Sequence, residues 1–120
     1  MTNDELRIVL AKWAGWTEVE VYEDNQGPPI LCGFEPYSVT VGADGEWKAD
    51  RPKYHRHVPN YVFSLDCVAT LEARLTHEQR IRYFGELAMV TLNSGFYRPE
   101  ITATAEQRCR ALVAALNISL

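Results

Sequence analysis

Residues 59–87, PNYVFSLDCVATLEARLTHEQRIRYFGEL, decide how the rest of the chain is read. Tyr61, Leu65, Val68, Leu71 and Leu75 recur at steps of four, three, three and four, which keeps one apolar stripe on one side of a helix. Ser64, Asp66, Thr70, Glu72 and Arg74 fall mostly on its other sides. Thr76 is followed three residues later by Gln79, a Thr-x-x-Gln capping box in which each side chain satisfies the other residue's orphan backbone N–H. The stretch is therefore predicted as two helices meeting at Leu75-Thr76.

On the N-terminal side, Thr2 or Asn3 can cap a first helix with Asp4 and Glu5 in its first turn, where the helix macrodipole favours anions. Leu6, Val9, Leu10 and Trp13 follow helical spacing, and Gly15 stands where a left-handed residue ends a helix, so this element spans about residues 3 to 14. Val19 and Val21 then alternate with Glu18 and Glu20, as in a half-buried strand. Asp24 to Pro29 supplies turn chemistry, a second strand fits Ile30 to Phe34, and Pro36 ends it or confines it to an edge. Tyr37 to Val41 is a third short strand, returning through Ala43-Asp44-Gly45 to Trp47. Lys48 to Pro59, KADRPKYHRHVP, breaks all periodicity and reads as the longest surface loop.

On the C-terminal side, Asn93-Ser94-Gly95 is a stop signal for the helix that opens at Thr76. Phe96 and Tyr97 suit a short extended piece before Pro99. Thr104 and Gln107 repeat the capping box, and Ala105, Cys109, Leu112, Val113 and Leu116 form the stripe of a last helix over about 105 to 116. The order is α-β-β-(β)-α-α-α, an α+β chain with a small antiparallel sheet and about four helices.

At 120 residues, one domain is expected. An apolar share of 47% with 23% charged residues is ordinary for a globular protein and excludes a disordered or coiled-coil composition. The net charge of −4 argues against general binding to a phosphate backbone. No segment approaches the roughly 20 apolar residues of a membrane span, and Asp4 and Glu5 stand where a signal peptide carries cations, so a cytosolic protein is expected. Cys32, Cys67 and Cys109 are odd in number and lack Cys-x-x-Cys spacing, which points to reduced core thiols.

The strings LRIVLAKWAGW, PNYVFSLDCVATLEARLTHEQRIRYFGEL and ATAEQRCRALVAAL, in that order and spacing, resemble the small bacteriophage proteins grouped as the phage ABA sandwich domain. The resemblance covers both ends and the second half, about two-thirds of the chain. It implies an α-β-α sandwich in which helices cover sheet faces, with the host cytoplasm as location. The family is largely of unknown function and provides no catalytic residues to carry over. This chain departs from its pattern at Val62-Phe63-Ser64, in having Asp66 rather than a continuous acidic run, and in the unmatched KADRPKYHRHVP loop.

His55 and His57 flank Arg56 and project the same way in an extended segment, yet two imidazoles without a suitably spaced carboxylate are too few for a metal. No metal or other cofactor is expected. The glycines form neither GxGxxG nor GxxxxGK[ST], and no local signature marks a nucleophile, so no enzyme is expected. What remains is a set of cations and aromatic rings outside the apolar stripes. Arg51, Tyr54, His55, Arg56, His57, Tyr97, Arg98 and Arg108 are the candidate ligand-binding residues, since guanidinium forks match phosphates and aromatic faces stack on bases. Arg80, Arg82 and Arg110 belong to the same cationic set, and for these three and Arg108 the plainer reading, favoured over a pocket, is that they decorate solvent faces. The expectation is a phage-encoded, non-catalytic binding protein that sequesters a nucleotide-type host defence signal. The alternative is a protein–protein interaction module, an inhibitor of a host protein or a homo-oligomer, because Trp13, Trp16, Trp47, Tyr54 and Phe96 exceed the needs of one small core.

Overall fold

A computed structural model of the chain describes residues 1–23, 27–36, 38–41, 45, 47–50, 56–92 and 102–120. Its class is α+β, as the sequence order predicts, with four helices and short antiparallel strands among the described residues. The chain divides into two units, Met1–Leu10 with Pro59–Leu120, and Ala11–Val58.

The first unit is helical. Helix α1, Asn3–Trp13, begins at a Thr2–Glu5 capping box, the Glu5 N–H donating to the Thr2 hydroxyl and the Thr2 N–H to the Glu5 carboxylate, both at 3.2 Å. Helix α2, Leu65–Glu72, is shorter than the apolar stripe predicts. Asn60 accepts from the N–H groups of Phe63 and Ser64, holding residues 61–63 in a turn, and the Ser64 hydroxyl then caps α2 by accepting from the Cys67 N–H at 3.2 Å. Tyr61 is buried from that turn, and Leu65, expected on the buried stripe, is 54% exposed. The local cap sets where the helix starts, while Val68, Leu71 and Leu75 stay buried as the stripe predicts.

Helix α3, His77–Thr91, and helix α4, Ala105–Leu116, carry both predicted capping boxes, at Thr76–Gln79 and Thr104–Gln107, with all four hydrogen bonds formed. Helix α4 closes on Asn117 in the left-handed conformation (φ 52°, ψ 46°). The N–H of Asn117 reaches the carbonyl of Ala114 and that of Ile118 the carbonyl of Val113, the paired bonds of a Schellman ending. Helix α4 packs chiefly on α3 and also on α2. Val68, Leu71, Leu87, Cys109 and Leu112, with the ring of Tyr83, are each at most 1% exposed and form the centre of this unit. Val113 and Leu116, expected on the buried stripe of α4, are only half-buried, and Ala111 and Ala115 take the inner positions.

In the second unit, the end of α1 is a Schellman ending at Gly15 (φ +101°), with Gly15 donating to the Lys12 carbonyl and Trp16 to the Ala11 carbonyl. Strands β1 (Thr17–Tyr22), β2 (Ile30–Phe34) and β5 (Arg56–His57) form an antiparallel sheet in the order β1-β2-β5. Thr17 pairs with Phe34 and Glu20 with Cys32, so Glu18 and Val19 together oppose Gly33, a β-bulge with Glu18 at φ 51°. The bulge closes over Gly33, where an added Cβ would lie 3.1 Å from the Thr17 carbonyl oxygen. The expected alternation is not seen in β1, where Val19 is half-buried and Val21 49% exposed. Strands β3 (Ser38–Val41) and β4 (Trp47–Asp50) make a separate antiparallel hairpin. The stretch from Lys48 to Pro59, expected as loop, contributes residues to β4 and supplies β5, which pairs Cys32 with His57. The expected turns at Asp24–Gln26 and Ala43–Asp44 and the stop at Asn93–Gly95 lie outside the described residues.

The caps give a direct stability test. Thr104→Ala removes one acceptor and is expected to lower unfolding free energy by about 1 kcal/mol, whereas Asn117→Gly, which relieves a left-handed non-glycine residue, is expected to hold or raise it. Urea denaturation followed by circular dichroism measures both.

Candidate functional site

A recess of about 320 Å³ opens within the helical unit, lined by Glu72, Ala73, Leu75, Arg80, Tyr83, Phe84 and Arg108. Three helix ends converge to build it. Glu72 is the last residue of α2, Tyr83 lies in the second turn of α3, and Arg108 lies in the first turn of α4. One atom joins them: Oε2 of Glu72 accepts from the Tyr83 hydroxyl at 2.5 Å and from Nη1 of Arg108 at 3.0 Å. Nε of Arg108 donates in turn to the Ala103 carbonyl at 3.1 Å, so the guanidinium also holds the backbone that leads into its own helix. The Arg108 and Glu72 side chains are 12% and 24% exposed, which makes this a partly buried pair and not a solvent-exposed surface one.

The rim differs from the floor. Arg80 and Phe84 are exposed, Phe84 with its ring centroid 5.7 Å from that of Tyr83. Among the described residues, the Arg80 side chain has no hydrogen-bond or ion-pair partner. The recess therefore combines one satisfied ion pair, one unpaired guanidinium and a half-exposed aromatic face.

Burial pushes the Tyr83 hydroxyl well above its ordinary value, with the hydrogen bond to the Glu72 carboxylate and its charge acting in the same direction. Burial likewise pushes the Cys109 thiol up to about 12, assisted by the charges of Glu106 and Glu72. Such a thiol stays protonated near neutrality and is a poor nucleophile. Cys109 is fully buried, while Cys32 and Cys67 are only half-buried, so of the three expected core thiols one is fully enclosed.

Of the residues expected to bind a ligand, Arg108 is the one the described structure places in the recess, and its guanidinium is tied to Glu72 instead of facing open solvent. Arg56 and His57 lie in β5 of the other unit, exposed, with Nε of Arg56 3.4 Å from the Glu35 carboxylate. Arg51, Tyr54, His55, Tyr97 and Arg98 lie outside the described residues. No group of three or more His, Cys, Asp or Glu is placed to hold a metal ion among the described residues, and no helix there is long and apolar enough to cross a membrane. Trp16 is buried and Trp13 half-buried, so these two aromatics do not form an exposed patch; among the described residues Tyr22, Phe63 and Phe84 are exposed rings.

Sequence reasoning passed over Glu72, Tyr83 and Phe84 as site residues. One signal pointed to Glu72: it is a carboxylate at the C-terminal end of a helix whose last turn contains no basic residue, where the macrodipole disfavours an anion unless a cation comes from elsewhere. Comparison with known protein families, with characterised proteins and with solved structures found no match.

Two measurements probe the cluster. Tyr83→Phe removes one of the two bonds to Glu72 and is expected to cost about 2 kcal/mol, the scale of a hydrogen bond to a charged group. Combining Glu72→Gln with Arg108→Gln is expected to cost less than the sum of the two single changes by about 1 kcal/mol or more, read as coupling in a double-mutant cycle by urea denaturation. For pH, the folded protein retains the Cys109 and Tyr83 protons that the unfolded chain releases above about pH 9 and 10. The stability linked to them is thus complete below about pH 9 and falls as pH rises further. The urea midpoint should decline above that pH in the native sequence and decline less steeply in Tyr83→Phe.

Proposed function

We propose that this protein is a non-catalytic binding protein whose recess takes a small anionic ligand with a planar aromatic portion, the chemistry of a nucleotide. The observation that carries this reading is the Arg80 guanidinium, which has no partner among the described residues, near the half-exposed ring of Phe84 at the recess. Arg80 and Arg108 against Glu72 leave a net surplus of one positive charge among the lining residues. Arg80 is free to fork onto a phosphate, and Phe84 offers a face for a base to stack on. A volume of about 320 Å³ lies near the lower end of small-molecule sites, roughly 300–1,000 Å³, so it suits one nucleotide unit or one end of a larger signal. Among the lining residues the tyrosine hydroxyl is already committed to Glu72, which favours binding over catalysis. The resemblance to the phage ABA sandwich proteins adds the biological setting proposed here, capture of a nucleotide-type host defence signal in the host cytoplasm.

Thermal-shift measurements with ADP-ribose, cyclic dinucleotides and cyclic trinucleotides test this. A ligand present at 100 times its dissociation constant stabilises by about 2.7 kcal/mol, a shift of several degrees in a domain of this size. Arg80→Ala is expected to abolish the shift while leaving the unliganded melting temperature within about 1 °C, because the side chain is exposed and unpaired. Absence of any shift at millimolar concentrations of all three probe classes overturns the reading.

A further inference from the structure

The floor of the recess contains an acceptor that the fold does not use. Oε2 of Glu72 takes both the Tyr83 hydroxyl and Nη1 of Arg108, while Oε1 of the same carboxylate has no donor among the described residues. Two donors fill the lone-pair directions of Oε2, so the capacity left to Glu72 lies on Oε1. Among the described residues no buried side-chain oxygen lacks a partner, so Oε1 is open to water, and Glu72 lines the recess. A ligand that fills the recess displaces that water. An ionised oxygen that loses water without gaining a donor weakens binding, and it also repels the anionic group that Arg80 takes. The ligand therefore has to bring a hydrogen-bond donor as well as a negative charge and a flat ring.

Spacing indicates where on a nucleotide that donor sits. Arg80 and Phe84 stand one helical turn apart on α3, about 6 Å along its axis. Tyr83, which holds the Glu72 carboxylate, lies between them in height along the same helix. With the phosphate on Arg80 and the base on Phe84, the portion that meets Glu72 is the sugar joining the two. A linear nucleotide has both ribose hydroxyls available, whereas in a 3′,5′-linked cyclic one the 2′-hydroxyl is the one left unesterified. The inference rests on the nucleotide reading of the recess: we propose that Oε1 of Glu72 accepts a hydrogen bond from the 2′-hydroxyl of the bound nucleotide, so that Glu72 selects ribonucleotides over deoxyribonucleotides. One carboxylate thus has two tasks, with Oε2 holding three helices together and Oε1 reading the sugar.

Isothermal titration calorimetry with ADP-ribose, 3′,5′-linked cyclic di-AMP and 3′,5′-linked cyclic tri-AMP, each beside its counterpart lacking the adenosine 2′-hydroxyl, tests the proposal. For every ribose form that binds, the 2′-deoxy counterpart is expected to bind about tenfold more weakly, the lower end of what a hydrogen bond to a charged group contributes. Glu72→Gln gives a second readout. Its amide has one acceptor oxygen, which Arg108 and Tyr83 claim, so an NH2 group takes the place of Oε1 and the ribose-to-deoxyribose preference is expected to fall to within about twofold of none. The ratio is read rather than the affinity, because removing a negative charge strengthens anion binding for both members of a pair. A native protein that binds the ribose and deoxyribose members equally, the result expected of a donor on the base, overturns the proposal and leaves the nucleotide reading standing. That comparison needs no variant, so it decides the matter even where Glu72→Gln fails to fold. A Glu72→Gln protein that keeps the full preference also overturns the proposal. Absence of binding by all three ribose forms overturns it together with the nucleotide reading.

Discussion

The helical unit depends on a single carboxylate oxygen. Oε2 of Glu72 is shared by a hydroxyl from α3 and a guanidinium from α4, and the same guanidinium reaches back to the Ala103 carbonyl. Apolar packing of α3 and α4 supplies most of the association energy, but dispersion and hydrophobic burial are non-directional and tolerate sliding. A shared acceptor does not. Each donor must arrive within about 3 Å of the same atom, which fixes the relative height of three helices. Because the cluster is only partly exposed, losing one donor leaves a poorly solvated polar group, an asymmetry that makes such clusters act as specifiers of geometry.

That constraint works only if the helices begin at fixed residues, and the ends are where this sequence is most explicit. Three capping boxes, at Thr2, Thr76 and Thr104, fix the starts of α1, α3 and α4, and two left-handed residues, Gly15 and Asn117, fix the ends of α1 and α4. A one-residue slip of α4 rotates it by about 100° and takes Arg108 away from Glu72. The caps are therefore the local condition for the tertiary contact.

This also explains what could be read from the sequence. Both interior boxes are local grammar, four residues long, and α3 and α4 start where that grammar places them. The α+β class follows from the change of hydrophobic period between α1 and β1. The start of α2 was illegible because Ser64 competes with a stripe that continues through Tyr61; a cap of one hydrogen bond moved the start to Leu65, while Val68, Leu71 and Leu75 stay buried as the stripe predicts. The bulge in β1 was illegible for a different reason: it answers to the close approach of Gly33, a partner on another strand. The recess was legible only in part. Arg108 was singled out by charge, but its partner is 36 positions away and its second neighbour, Tyr83, reads as an ordinary core aromatic.

Pairing with Glu72 changes what Arg108 can do on the proposed ligand-binding reading. A guanidinium held by a carboxylate and a backbone carbonyl cannot swing toward an incoming anion without breaking the ion pair that ties α2 to α4. It can only present its remaining N–H groups in a fixed direction, at no reorganisation cost. Arg80 has the opposite character, since it is exposed and has no side-chain partner among the described residues, so fixing its long stem on a phosphate costs rotamer entropy. The recess thus pairs a preorganised cation on its floor with an adaptable one at its rim. The fold needs the first whether or not a ligand is present, and the second has no structural task among the described residues, which is why the proposed reading assigns recognition to Arg80 and its neighbour Phe84.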